Sequence, residues 1–319
     1  MSFRLLTCLL LCAGMASCSS ARRLEGMDDF ESAETYAEWG QYEDALELAE
    51  KAVSQGDLSP EQEADANNLA ADSALALGRY LKALRLYRKV LEQAPWSPHV
   101  ANIEFRLYEI GVAFLTLPQF GGWFDSRGRG VEALETLQAH YRRSELADDA
   151  LRLVADYFGR EDVREWLEAA ITNEKLFLEY PESEWAERSL WLAGHYRLML
   201  VYGPEYNRDE MLRAEELLEL SLETFPFGAK ARESAEDLVK VKDLLAEGEV
   251  LVANFYRARG NMTGERLRLA NAAILFPTTA AGEAALARLE GLGIDLEDIA
   301  AEPRLSSLDT FEVPLDPDP

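Results

Sequence analysis

The chain has 319 residues, 48% of them hydrophobic, and carries a formal net charge of −26 from 58 acidic and 32 basic side chains. That hydrophobic content supports a substantial folded core, and the length fits two ordinary domains or one extended repeat array. A charge of this sign excludes a general electrostatic footprint for nucleic acid, which needs clustered Lys and Arg, and it opposes binding to anionic lipid.

The only cysteines are Cys8, Cys12 and Cys18, all near the amino terminus. Arg4 and the α-amino group precede the apolar run LLTCLLLCAGMA (5–16), and the small residues Ala16 and Ser17 lead into Cys18. A positive start, a short apolar stretch and a small-residue cleavage point make a secretory signal peptide over 1–17. The run is too short to span a bilayer, which takes about 20 apolar residues. MASC (15–18) resembles the lipobox of bacterial lipoproteins, with Met15 where Leu is commoner. The resemblance implies that Cys18 takes a diacylglyceryl thioether, becomes the new N-terminus and is N-acylated, with palmitate as the implied acyl group. The alternative is an ordinary signal peptide with a chance cysteine. Two or three acyl chains hold a protein nearly permanently, where one does not. The mature chain has a net charge of −27, since Arg4 is the one charged side chain in 1–17, and it keeps no thiol to pair. Residues 18–28 read as a lipidated linker, with Arg22 and Arg23 the cationic exception beside the anchor. Ser19 stands where enterobacterial inner-membrane lipoproteins carry Asp, which implies, again by resemblance, export to the outer membrane. The ten residues Ser19–Asp28 reach about 33–36 Å at full stretch, so the first folded elements stay near the bilayer.

Internal repeats organise the rest. YRRSELA (from Tyr141), YPESEWA (Tyr180), FPFGAKA (Phe225) and FPTTAAG (Phe276) share an aromatic; three follow it with Pro, and three carry Ala six positions on (Ala147, Ala186, Ala231). APWSPHVA at Ala94 is a weaker copy, and GQYEDAL (Gly40) recurs as GRYLKAL (Gly78). Gly-x-Tyr-x-x-Ala-Leu reads as a helix stop and restart, with Gly in the left-handed position after a helix. The aromatic-Pro phrase ends the second helix of a pair, and its Ser or Thr can cap the next helix. Apolar residues agree with a helical period at Tyr80, Ala83, Leu84, Tyr87, Val90 and Leu91. The same period links Trp166, Ala169, Ala170, Asn173, Phe177 and Tyr180, and also Met211, Ala214, Leu218, Ser221 and Phe225. No alternating strand pattern emerges. The expected fold class is all-α: a tetratricopeptide-like helical-hairpin solenoid over 29–291, with helix pairs near 29–55, 61–93, 98–141, 145–180, 184–225 and 229–276. A capping helix follows near 280–291.

Three segments depart from this pattern. LPQFGGWFDSRGRG (117–130) interrupts the third pair, and its Trp123 and Phe124 either contact a partner or tuck back onto the repeats. VYGPEYNRDE (201–210) reads as a short connection within the fifth pair. The tail within 292–319 carries eight acidic residues and one Arg from Asp295 on, with four prolines, and reads as disordered. Enzyme motifs are missing: His99, His140 and His195 fall in different repeats without ligand partners at metal spacing. There is no HExxH, cysteine pair, G-x-S-x-G elbow or Walker loop. The chain reads as non-enzymatic, with no cofactor or metal, its carboxylates lying on solvated faces.

The C-terminal third carries a more specific phrase. An aromatic-Pro is followed by a long helix with Leu245-Ala246-x-x-Glu249, then Val252-Ala253-x-x-Tyr256-x-x-Arg259-Gly260, a shorter helix and Phe276-Pro277. Residues 225–286 thereby resemble the BamD family, tetratricopeptide lipoproteins of the outer-membrane β-barrel assembly machinery. The chain departs from that pattern in its greater length, in Phe227-Gly228 after Pro226, and in Arg142 where the first aromatic-Pro phrase has no Pro. The resemblance implies a non-enzymatic adaptor, lipid-anchored on the periplasmic face of the outer membrane. Its partners would be the barrel-forming assembly subunit and unfolded outer-membrane protein segments, and not nucleic acid. N-terminal repeats would line a concave groove for precursor segments and C-terminal repeats would dock on the machinery. Glu249, Tyr256, Arg257 and Arg259 are the candidate docking residues, beside Trp123 and Phe124 in the insertion and Cys18 as lipid attachment site. The alternative is another periplasmic repeat lipoprotein that scaffolds envelope or cell-wall complexes; a third reading is a chaperone or enzyme partner for soluble periplasmic clients.

Overall fold

The computed structural model describes residues 21–116 and 127–296. Among them every regular element is a helix: α1 (Asp29–Glu38), α2 (Tyr42–Gln55), α3 (Pro60–Ala76), α4 (Tyr80–Gln93), α5 (Val100–Thr116), α6 (Arg127–His140), α7 (Ala147–Phe158), α8 (Trp166–Glu179), α9 (Ala186–Leu198), α10 (Arg208–Thr224), α11 (Ala231–Ala258), α12 (Met262–Leu275) and α13 (Ala280–Gly291). The six expected pairs and the final helix are all present, with ends within a few residues of those read from the sequence. The chain divides into two compact units, Met1–Thr136 and Leu137–Pro319, with the division inside α6. In the first, α1 to α5 pack in sequence and α1 also touches α3. In the second, α7 to α13 pack in sequence, and α9 with α11 and α11 with α13 touch as alternate neighbours. Contacts to the next helix and the next but one are the pattern of stacked helix hairpins.

The repeated phrases make the turns. Gly40 and Gly78 have φ of +73° and +69°, and the amides around them close a paired turn: Gly40 to Ala37 and Gln41 to Tyr36, then Gly78 to Leu75 and Arg79 to Ala74. This is the Schellman stop that the glycine permits. The aromatic phrases share another exit. Ala94, Tyr180, Phe225 and Phe276 have φ between −134° and −125° and ψ between 52° and 62°. The expected capping by the following Ser or Thr holds for Thr279, whose hydroxyl accepts from the Gly282 amide at 3.0 Å. Ser97, Ser144 and Ser183 instead accept from the amide two residues on, which forms a local turn ahead of the helix rather than a cap. Of the positions read as helix faces, Ala83, Leu84, Tyr87, Val90, Leu91, Ala169, Ala170, Asn173, Met211, Ala214, Leu218 and Ser221 are buried, and Tyr80, Trp166, Phe177, Tyr180 and Phe225 are half-buried.

Three expectations need comment. The segment 117–126, with Trp123 and Phe124, lies outside the described residues, as do Cys18 and the tail beyond 296. Within the segment read as a tail, Ile294 and Leu296 pack on the cluster formed by α11, α12 and α13. Residues 21–28, read as linker, lie along the first hairpin. The Leu24 amide donates to Ser32 Oγ at 2.9 Å, Tyr36 Oη donates to the Arg22 carbonyl at 3.0 Å, and Asp28 caps α1.

Two buried carboxylates tie helices of the second unit together. Asp237 on α11 accepts from His195 Nδ1 (2.8 Å) and Trp191 Nε1 (3.1 Å) on α9, and from Lys240 Nζ (2.8 Å). Burial pushes its carboxyl up, but these donors outweigh burial and hold it well below the usual carboxylate range. Glu249, one turn beyond Leu245 on α11 and 1% exposed, forms an ion pair with Arg208 at the start of α10 (2.9 Å). From α12 it accepts from Arg268 (3.1 Å) and Asn271 (3.4 Å). A buried charge is tolerated where it is paired and hydrogen-bonded in this way.

Both sites predict stability effects. An unfolded Asp carboxyl titrates near 3.9, so the Asp237 contribution is complete above about pH 5 and is lost as pH falls through the depressed folded value. In urea unfolding Asp237→Asn should cost about 2 kcal/mol at neutral pH, and its gap from the native chain should narrow from about pH 5 towards pH 3. Glu249→Gln strands Arg268 against the interior and should cost about 3 kcal/mol in the same measurement, whereas Arg257→Ala should stay within about 0.5 kcal/mol of the native chain.

Candidate interaction surfaces

The phrase that singled out the C-terminal third acts first on the inside of the protein. Leu245 and Ala246 are buried against Met211, Ala214 and Leu218 of α10. Gly248 faces the 201–207 connection so closely that a Cβ there would stand 2.8 Å from the Pro204 carbonyl oxygen. Ala253 enters a cluster with Leu269, Ala270 and Ala273 of α12 and Leu289 of α13. The Tyr256 ring lies over Gly264, where a Cβ would come within 2.7 Å of it. Gly260 (φ +71°) closes α11 with Gly260-to-Arg257 and Asn261-to-Tyr256 amide bonds, and Asn261 caps α12 by accepting from the Gly264 amide at 2.9 Å. The Leu-Ala-x-x-Glu and Val-Ala-x-x-Tyr-x-x-Arg-Gly phrases therefore specify an αα-hairpin and its packing.

This corrects the reading of Glu249 as a docking residue: enclosed by Arg208, Arg268 and Asn271, it offers no oxygen to a partner. Tyr256 is half-buried over Gly264. Arg257 and Arg259 are exposed at the end of α11, and the Arg259 guanidinium sits 3.9 Å from the Phe255 ring centroid, a cation–π contact. Beside them, Leu251 and Phe255 are exposed large apolar side chains. Leu251, Phe255 and Arg259 recur at four-residue spacing and so form one stripe on α11. The sequence reading missed this stripe, although its periodicity was visible, because the apolar residues on the opposite face gave the stronger signal. It also passed over Tyr202, 86% exposed, and Tyr206, also exposed, in the connection that Gly248 approaches.

The first unit carries a groove of about 700 Å³ between α1, α3 and α5. Its walls are mainly acidic and polar, with Glu34 from α1, Asp65, Asn68 and Asp72 from α3, and His99, Asn102 and Arg106 at α5. Asp72 is held on three sides: Tyr87 Oη donates to it at 2.6 Å, Asn68 at 3.0 Å, and Arg106 stands 3.4 Å away. Burial, together with that carboxylate, pushes the Tyr87 phenol up, so it remains a donor. Asp65 is paired with His99 Nε2 at 2.8 Å. Burial and the negative charges of Asp65, Glu38, Asp28 and Glu31 push the Glu34 carboxyl up. At the rim the Phe105 ring is 57% exposed. A carboxylate-rich floor with an aromatic rim suits an extended segment that carries cationic or hydrogen-bond-donating side chains.

Neither surface holds a nucleophile–base pair, and His99 and His195 are each engaged by an aspartate. No helix among the described residues is long and apolar enough to cross a membrane. No curated protein matches the chain. The crystal structure of the C-terminal part of a TPR repeat-containing protein from Cytophaga hutchinsonii aligns with 81% of this chain and 99% of its own, at 16% identity and a TM-score of 0.28. Residues 125–300 match the YfiO family, described as outer membrane lipoprotein, which takes in α6 to α13 and leaves α1 to α5 outside. With more than half of its residues inside that match, the chain belongs to the YfiO family of outer membrane lipoproteins.

Proposed function

We propose that the protein is a lipid-anchored, non-enzymatic adaptor of the BamD type. Acylated at Cys18, it sits on the periplasmic face of the outer membrane, docks on the barrel-forming subunit of the assembly machinery and holds unfolded segments of barrel precursors for it. The observation that carries the reading is the family match across α6 to α13, the region that contains the exposed end of α11. On that end the Leu251–Phe255 stripe beside Arg257 and Arg259 combines apolar area with cationic rim groups, the composition of a protein-docking patch. The role needs binding surfaces and no bond-making chemistry, and stacked helix hairpins supply such surfaces along their length.

The groove of the first unit lies outside the family match, so its part in the proposal rests on its own chemistry. Extended segments with Lys or Arg between apolar residues would place the cations over Glu34 and Asp65 and the apolar groups on Phe105.

The first test is purification of the C-terminally tagged protein from membranes in mild detergent. A barrel protein of the outer membrane should co-purify; Arg257→Glu with Arg259→Glu should abolish its recovery, while Arg232→Glu, elsewhere on α11, should not. Recovery of cell-wall enzymes instead would favour the scaffold reading. The second test is fluorescence anisotropy of a labelled unfolded barrel segment, for which Phe105→Ala should weaken binding roughly tenfold, as loss of an aromatic anchor does.

A further inference from the structure

The first hairpin carries an exposed aromatic patch where the anchored end of the chain arrives. From Met27 back to Ala21 the backbone runs along α1 towards its C-terminal end, fixed by Leu24 to Ser32, by the Arg22 carbonyl to Tyr36 Oη, and by the Ala21 amide to Glu47 on α2 at 3.1 Å. The Trp39 ring lies edge-on to Tyr36, with centroids 5.6 Å apart, and is 58% exposed. Tyr42, across the Gly40 turn, is exposed as well. Neither is needed for the core of the hairpin, which is made by Phe30, Ala33, Ala45, Leu46, Leu48 and Ala49.

We propose that this patch is a membrane-contact surface. Trp39, supported by Tyr36 and Tyr42, lies in the headgroup layer of the bilayer that holds the lipid anchor. The inference rests on the lipid attachment at Cys18 proposed above. Only Ser19 and Ser20 separate Cys18 from Ala21, and the three backbone steps reach at most about 11 Å, so the anchor cannot leave much water between the bilayer and the end of α1. The headgroup layer of each leaflet is itself about 5–7 Å deep. Trp and Tyr, with an apolar ring and a polar edge, favour that layer. Arg22 and Arg23, both exposed at this end, sit where lipid phosphates would be met, while the exposed Glu38, Glu43 and Glu47 beside the patch favour a zwitterionic over an anionic lipid surface. The occupant is therefore a lipid surface, and the contact fixes which end of the first unit faces it.

The test uses the full-length acylated protein, reconstituted into phosphatidylethanolamine–phosphatidylcholine vesicles whose acyl chains are brominated, with tryptophan emission as the readout. Mass spectrometry of the N-terminal peptide and vesicle flotation establish the anchor independently. The native protein should be quenched relative to unbrominated vesicles, and Trp39→Phe should lose most of that quenching while its circular dichroism is unchanged. Equal quenching in both proteins, or none in an acylated, floating protein, would overturn the proposal and leave the lipoprotein reading standing. A Cys18 without acyl groups would overturn both.

Discussion

A single helix hairpin cannot bury its own apolar face, and every other feature of this protein follows from that constraint. Each pair must present one side to the pair before and one to the pair after. Two kinds of short corner recur for this reason: a left-handed glycine at Gly40, Gly78 and Gly260, and a non-helical exit at Ala94, Tyr180, Phe225 and Phe276. Small residues then stand where helices approach, as with Ala147 and Ala186, which open α7 and α9 and are buried. Charges buried by stacking have to be shared between neighbours. Asp237 and Glu249 do this for the second unit, each taking donors from other helices, so they fix the relative seating of α9 to α12 as well as their own side chains.

The same constraint separates packing from function. Residues that recur because hairpins must stack are the ones most easily recognised in a sequence, and they end up inside. The phrase around Glu249 is an example: Ala253, Tyr256 and Gly260 build the corner, and Glu249 locks it to α10 and α12. What they leave on the surface is the stripe of Leu251, Phe255 and Arg259 with Arg257 beside it. The stripe is carried on a helix whose opposite face is buried, so the proposed docking patch is held in place without a loop.

Most of the fold was legible. Helix faces, pair boundaries and both kinds of corner could be read from Gly40, Gly78 and the aromatic phrases, because local periodicity and turn chemistry act over a few residues. The buried ionic ties were not legible. Glu249 read as a docking residue, and its partner Arg208 lies 41 positions away on a different helix. The path of residues 21–28 was hidden for a similar reason: nothing in ARRLEGMD shows that Ser32 and Tyr36 will bind its backbone. The acidic groove was legible only as scattered Glu and Asp residues, because α1, α3 and α5 bring them together in space.

The central claim is that the exposed end of α11, rather than the buried phrase behind it, meets the assembly machinery. The most direct measurement is site-specific photocrosslinking in growing cells, with the crosslinking residue placed at position 255, 257 or 232 in turn. The account predicts a crosslink to an outer-membrane barrel protein from 255 and 257, and none from 232 near the start of the same helix. Crosslinks of equal yield from all three positions, or only to soluble periplasmic proteins, would contradict it.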